Sequence, residues 1–163
     1  MISKMRLLCF GIASIGLLLG PVPRASSQTS PGLDLTLSRD SSVIRGQLAH
    51  ASELGRRVVK ELQNTPPNDS VPLDEGMLKS AHDTYALIRA ARHGISMARE
   101  REKFPDPLKD LAFQRVEVAW NLSRTPVDLA TSRGTSRQEY LQRSVHDLSR
   151  AIQLVDQALI LMP

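Results

Sequence analysis

Between Leu141 and Met162 the chain repeats one spacing without a break: Leu141, Val145, Leu148, Ile152, Val155, Leu159 and Met162 alternate steps of four and three. A helix turns 100° per residue, so these side chains form one continuous apolar seam, which has to be buried against something of similar period. Two other segments carry the same signature. Ile44, Leu48, Ala51, Gly55, Val58 and Leu62 form one seam, with Leu54 and Val59 widening it; Met77, Ala81, Thr84, Ile88, Ala91, Ile95 and Ala98 form another, with Leu78 and Tyr85 on its flank.

Local signals set the ends. "NTPPNDSVP" stops the first segment, because adjacent prolines and an Asn-Asp-Ser cluster do not continue a helix. Asp74-Glu75 supplies negative charge at the start of the second, and "REREK" a basic excess at its end, both suited to the helix dipole. Asp106 followed by Pro107 marks a third start, and Ser136 with Glu139 forms a capping box for the last helix. The expected fold is all-α: an antiparallel four-helix bundle with helices over about 42–64, 74–103, 107–124 and 136–162, and "TPVDLATSRGTS" as a loop. Steps averaging 3.5 favour shallow, coiled-coil-like crossing.

The first 27 residues read as a secretory signal peptide: Lys4 and Arg6, then the apolar "LLCFGIASIGLLLG", then "PVP" and small residues at Ala25 and Ser27 that place cleavage after Ser27. The apolar run is shorter than the roughly 20 residues a membrane span needs, which favours cleavage over the alternative of an uncleaved anchor; cleavage after Ala25 is the second choice. A polar N-terminal tail is expected over 28–41, and the bundle domain over 42–163. Removing the leader changes the charge argument. Of 21 basic and 17 acidic residues, Lys4, Arg6 and Arg24 leave with it, so 18 basic residues face 17 acidic ones. The basic balance is therefore no argument for nucleic-acid binding. The single cysteine, Cys9, lies in the leader. The exported chain would have no disulfide, thiolate metal site or cysteine nucleophile.

His50, His82, His93 and His146 all fall off the seams, so no inward-facing metal or haem site is expected, and no cofactor. "TPPNDSVPLDEGMLKSAHD" resembles the Pro-rich turn before a ligand-bearing helix in small exported bundle cytochromes of the b type. Those proteins also need a methionine near the start of an earlier helix and a histidine late in the last one. Here the last helix has only His146, near its start. No serine sits in a G-x-S-x-G elbow and no carboxylate pair faces inward, so the expectation is a protein that is not an enzyme.

The third helix carries an anomaly. Leu108, Leu111, Ala112, Val118, Ala119 and Leu122 share a face with Arg115 near its centre. The plainest account is that this helix is the least buried and Arg115 runs along its own stem to water. Two others are an internal ion pair, with Glu61 or Asp156 as partner, and a cleft in which Arg115, with Trp120 as a wall, binds an anionic ligand. The apolar C-terminus "ALILMP" either packs under the 64–74 loop or serves self-association or docking. The resulting expectation is an exported protein, periplasmic or secreted, that acts through contact with a protein partner or a second copy. A small anionic-ligand carrier using Arg115 and Trp120 is the alternative.

Overall fold

The structure, a computed structural model, describes residues 40–68, 72–102, 106–131 and 134–162. The expected leader over 1–27 with its Cys9, and the tail up to residue 39, lie outside the described residues. Among those described the chain is all-helical, with no strand: α1 (Ser41–Asn64), α2 (Glu75–Arg99), α3 (Pro107–Ser123), the short α4 (Thr125–Thr131) and α5 (Arg137–Leu161). No described helix is long and apolar enough to cross a membrane.

The helix starts follow the capping chemistry. Asp74 Oδ1 accepts the Met77 N–H at 2.7 Å, Asp106 Oδ1 accepts that of Leu108 at 3.0 Å with Pro107 in the first turn, and Ser136 Oγ accepts that of Glu139 at 3.2 Å. Each cap satisfies a donor that the helix cannot, and is worth roughly 1 kcal/mol. For α1 the cap is Asp40, whose carboxylate takes the Ser42 N–H and hydroxyl, both at 2.7 Å. Those two bonds hold the Asp40 carboxyl pKa below its ordinary value. α2 ends at Arg99, four residues before the expected end, as Glu100 closes the last turn on the Ser96 and Ala98 carbonyls.

Every seam residue named for α1 is buried, and so is every one named for α2 except Ala98. Thr84 fits the α2 seam because its hydroxyl donates to the Ser80 carbonyl of its own helix at 2.8 Å. Two clusters make the core. One joins Ile44, Leu48 and Ala51 to Leu87, Ile88, Ala91 and Ile95, then to Ala112, Val116 and Ala119 of α3 and Ala151, Leu154, Val155 and Ala158 of α5. The other joins Val58 and Leu62 to Met77, Ala81, Tyr140, Leu141, Leu148 and Ile152. At Gly55 the packing is tight: a Cβ there would lie 3.0 Å from the Ile152 side chain of α5 and 3.3 Å from Thr84 of α2.

Three expectations are corrected. The segment read as a loop forms α4. Pro126 has no N–H to continue α3, so the chain stops at Ser123 and restarts in a new turn, with Val127 and Asp128 donating to the Arg124 carbonyl at 3.0 Å. The buried Pro126 carbonyl accepts the Tyr140 hydroxyl at 3.2 Å, tying α4 to α5. The C-terminus does not pack under the 64–74 loop. Met162 instead closes a small cleft with Ser41, Ile44, Ile95, Ala98, Lys109 and Ala112, where α1 begins.

The third correction concerns α3. Its buried residues are Ala112, Val116, Ala119 and Ser123. At 100° per residue the centre of that face lies about 70° from Arg115. Leu108, Leu111 and Val118 are 54, 38 and 49 % exposed. The large side chains of α2 and α5 already fill the interior, and α3 meets them with its small residues.

Candidate functional site

Small core residues leave α3 with little apolar surface to bury against α2, and polar and aromatic groups complete that seam. Arg92 of α2 donates through Nε and Nη2 to both carboxylate oxygens of Glu117, at 2.6 and 3.0 Å. Its guanidinium lies 4.6 Å from the Trp120 ring centroid and 5.8 Å from that of Phe113. One turn pair further on, Arg99 binds Asp110 at 2.6 Å and sits 4.4 Å over Phe113. Lys109 pairs with Glu102, a hydrogen bond that raises the Lys109 ammonium pKa. Towards the other end Trp120 stacks on Tyr85, with centroids 6.2 Å apart, and Tyr85 meets His82 at 6.5 Å. The result is a continuous run of rings and guanidiniums: His82, Tyr85, Trp120, Arg92, Phe113, Arg99. Half-exposed ion pairs contribute only about 0–1 kcal/mol each, and stacked guanidiniums a comparable amount. Their larger effect is to fix the facing surfaces in one register.

That register creates a groove. His82, Tyr85, Arg89 and Arg92 of α2, Trp120 of α3, the C-cap residue Arg124, and Val127 and Asp128 of α4 line a hollow of about 430 Å³. It continues along α2 into a second, of about 500 Å³, past Ala86, Ala90 and His93. Glu117 holds Arg92, and Asp128 holds Arg124 at 2.7 Å. Arg89 is exposed, and no carboxylate among the described residues pairs with it.

The two residues singled out from the sequence do not meet in one cleft. Trp120 is half-buried and faces α2. Arg115 is half-buried on the α5 side, where its Nη1 donates to Gln157 Oε1 while Nε is buried with no hydrogen-bond partner. Neither expected carboxylate reaches it. Glu61 is exposed on α1, and Asp156 is held by the Ser52 hydroxyl and by Arg56, both at 2.6 Å. The fault in the helix is thus an arginine at the edge of the buried face, bonded to a neutral amide.

The outer side of α3 instead carries the exposed Leu108, Leu111 and Val118, in one stripe of three- and four-residue steps with the half-buried Arg115 and Leu122, the latter packed against the core. Ile160 on α5 is 82 % exposed. Of the histidines, His50 is half-buried and His82, His93 and His146 are exposed; His146 faces Asp147 at 2.9 Å. Among the described residues no three His, Cys, Asp or Glu side chains converge as a metal ion would need.

No protein-family model, curated protein or solved structure matches the chain. Sequence reading passed over Arg89, Arg92, Arg124 and His82 as groove residues. The signal was available in part: His82, Tyr85, Arg89 and Arg92 follow steps of three, four and three along the flank of the α2 seam. What the sequence does not carry is the neighbour that turns a charged flank into a groove.

Proposed function

We propose that this chain is an exported, non-catalytic helical bundle that acts through contact with another polypeptide, in the periplasm or envelope or outside the cell. The basic start, apolar run and small-residue end of residues 1–27 support cleavage of a leader after Ser27. Cross-helix pairs support neighbours that run antiparallel, up-down-up-down. Arg92 pairs with Glu117 and Arg99 with Asp110; Arg115 pairs with Gln157 and Pro126 with Tyr140; Arg45 reaches Leu159 while Arg56 reaches Asp156. In each set the numbering rises along one side as it falls along the other, the rising side of the second set passing from α3 at Arg115 into α4 at Pro126.

The single observation that carries the contact reading is the inversion of size on α3. Of the four α3 residues that face the core, Ala112, Ala119 and Ser123 are small and only Val116 is larger, while Leu108, Leu111 and Val118 face solvent. A helix selected only to pack would bury the larger residues, at about 1.5–3 kcal/mol each. Aliphatics held outward at heptad spacing match what a facing helix takes up. A photo-reactive residue at Val118 tests this. We expect a covalent adduct to a second polypeptide, either another copy or a different protein, and none from the same probe at the exposed Gln63 of α1. A chain that stays monomeric and gives no adduct at Val118 refutes the reading.

The alternative, a small anionic-ligand carrier, retains Trp120 and replaces Arg115 by Arg89, the groove cation without a carboxylate. Native mass spectrometry separates the two: a co-purifying small acid supports the carrier, a bound polypeptide the contact reading.

A further inference from the structure

The groove along α2 differs in chemistry from the outer face of α3. His82 and His93 mark its ends, eleven residues apart on one helix. At 1.5 Å per residue that is about 16 Å, the length of about five residues of extended chain. It is an open trough rather than an enclosed cavity. Sites for small molecules bury most of their ligand, about 70–90 % of its surface, which a trough of this shape does not do.

Three guanidiniums line it, from Arg89, Arg92 and Arg124, against two carboxylates, Glu117 and Asp128, each already bound to one of them. Among the described residues the uncompensated charge is that of Arg89, whose planar fork suits a carboxylate bidentately. His82 and His93 add ring nitrogens on either side. Tyr85 and Trp120 supply flat apolar surface for the aliphatic stem of a bound side chain. Arg, Tyr and Trp are also the residue types that dominate binding energy in protein interfaces.

We propose that the trough between α2, α3 and α4 is the docking site for an extended acidic segment of a partner protein, with Arg89 as its carboxylate anchor. The proposal rests on the contact reading above and adds the partner's chemistry and a second surface.

Trp120 is the sole tryptophan of the chain and lines the trough, so its emission is free of signal from any other tryptophan. The probe is hexaglutamate, titrated into purified protein. The expected result is a saturable change in Trp120 emission that weakens in about 0.5 M salt. Arg89→Glu weakens binding by about tenfold or more, Arg89→Lys by less, and Arg143→Glu by under about twofold. Arg143 is exposed on α5, and its reversal changes net charge equally.

Four results would each overturn the proposal: no saturable response, equal losses in Arg89→Glu and Arg143→Glu, free glutamate binding as tightly as the hexapeptide, or oligothymidylate binding in its place. The third would mark a small-ligand site and the last a nucleic-acid surface. Adducts from Val118 report on the contact reading separately. With them present and hexaglutamate silent, only the acidic-segment assignment fails.

Discussion

Replacing Arg115 by leucine separates a tolerated charge from a structural one. The arginine has one guanidinium nitrogen, Nε, buried without a partner, and one, Nη1, bonded to the Gln157 amide oxygen. An unsatisfied buried donor costs about 1–3 kcal/mol, and a charged donor to a neutral acceptor returns about as much. The two nearly cancel. The stem of arginine already covers the surface that a leucine would cover, so apolar burial changes little. Arg115→Leu is therefore expected to change stability by less than about 1 kcal/mol, a shift below about 0.5 M in the urea midpoint at an m-value near 2 kcal/mol/M. Trp120 emission follows the transition.

The same substitution completes the outer stripe of α3 as five aliphatic residues at heptad spacing, from residue 108 to residue 122. Light scattering should then show stronger self-association, because the charge that interrupts the stripe acts against pairing. A loss above about 2 kcal/mol would refute the reasoning. It would mean that the guanidinium anchors a network inside the fold, since only an uncompensated partner group costs that much.

Three further perturbations test the packing. At Gly55 the space beside Ile152 and Thr84 admits a methyl group only if Ile152 yields slightly. Gly55→Ala should be nearly neutral, its gain in helix propensity of about 1 kcal/mol offsetting the crowding, whereas Gly55→Leu should cost about 3 kcal/mol in chemical denaturation. Tyr140→Phe removes the bond to the Pro126 carbonyl and should cost about 1 kcal/mol at neutral pH. Burial raises the Tyr140 phenol pKa above its ordinary value, so its contribution is complete below the unfolded pKa and is lost as pH rises through the folded one; melting curves at alkaline pH should fall less steeply for the phenylalanine variant. Arg92→Ala removes the Glu117 pair and the cover over Trp120, so it should cost about 1–2 kcal/mol and shift Trp120 emission to the red.

The seams of α1 and α2, and most of that of α5, could be read from the sequence because each helix has one dominant apolar stripe, and the stripe that repels water is also the one that packs. α3 carries two stripes. Periodicity puts Leu108, Leu111, Ala112, Val118, Ala119 and Leu122 on one face and centres it near Arg115, because Leu and Val weigh more than Ala and Ser. Packing kept Ala112 and Ala119 of that face and turned its centre towards Val116 and Ser123, so that three of the four buried residues are small. Volume decided there, and volume depends on neighbours far away in sequence. The same limit hid the groove. Arg89 and Tyr85 are unremarkable on an isolated helix; they line a groove only once Trp120 and Arg124 arrive from α3 and its C-cap, and Val127 from a turn that Pro126 forces to begin again. A residue's hydrophobicity states whether it tolerates burial, and only its neighbours decide whether it is buried. Where the two disagree, as along the outer side of α3, Leu108, Leu111 and Val118 stand in water although two alanines and a serine lie in the interior beside Val116, and that disagreement is the ground on which a contact outside the chain is proposed.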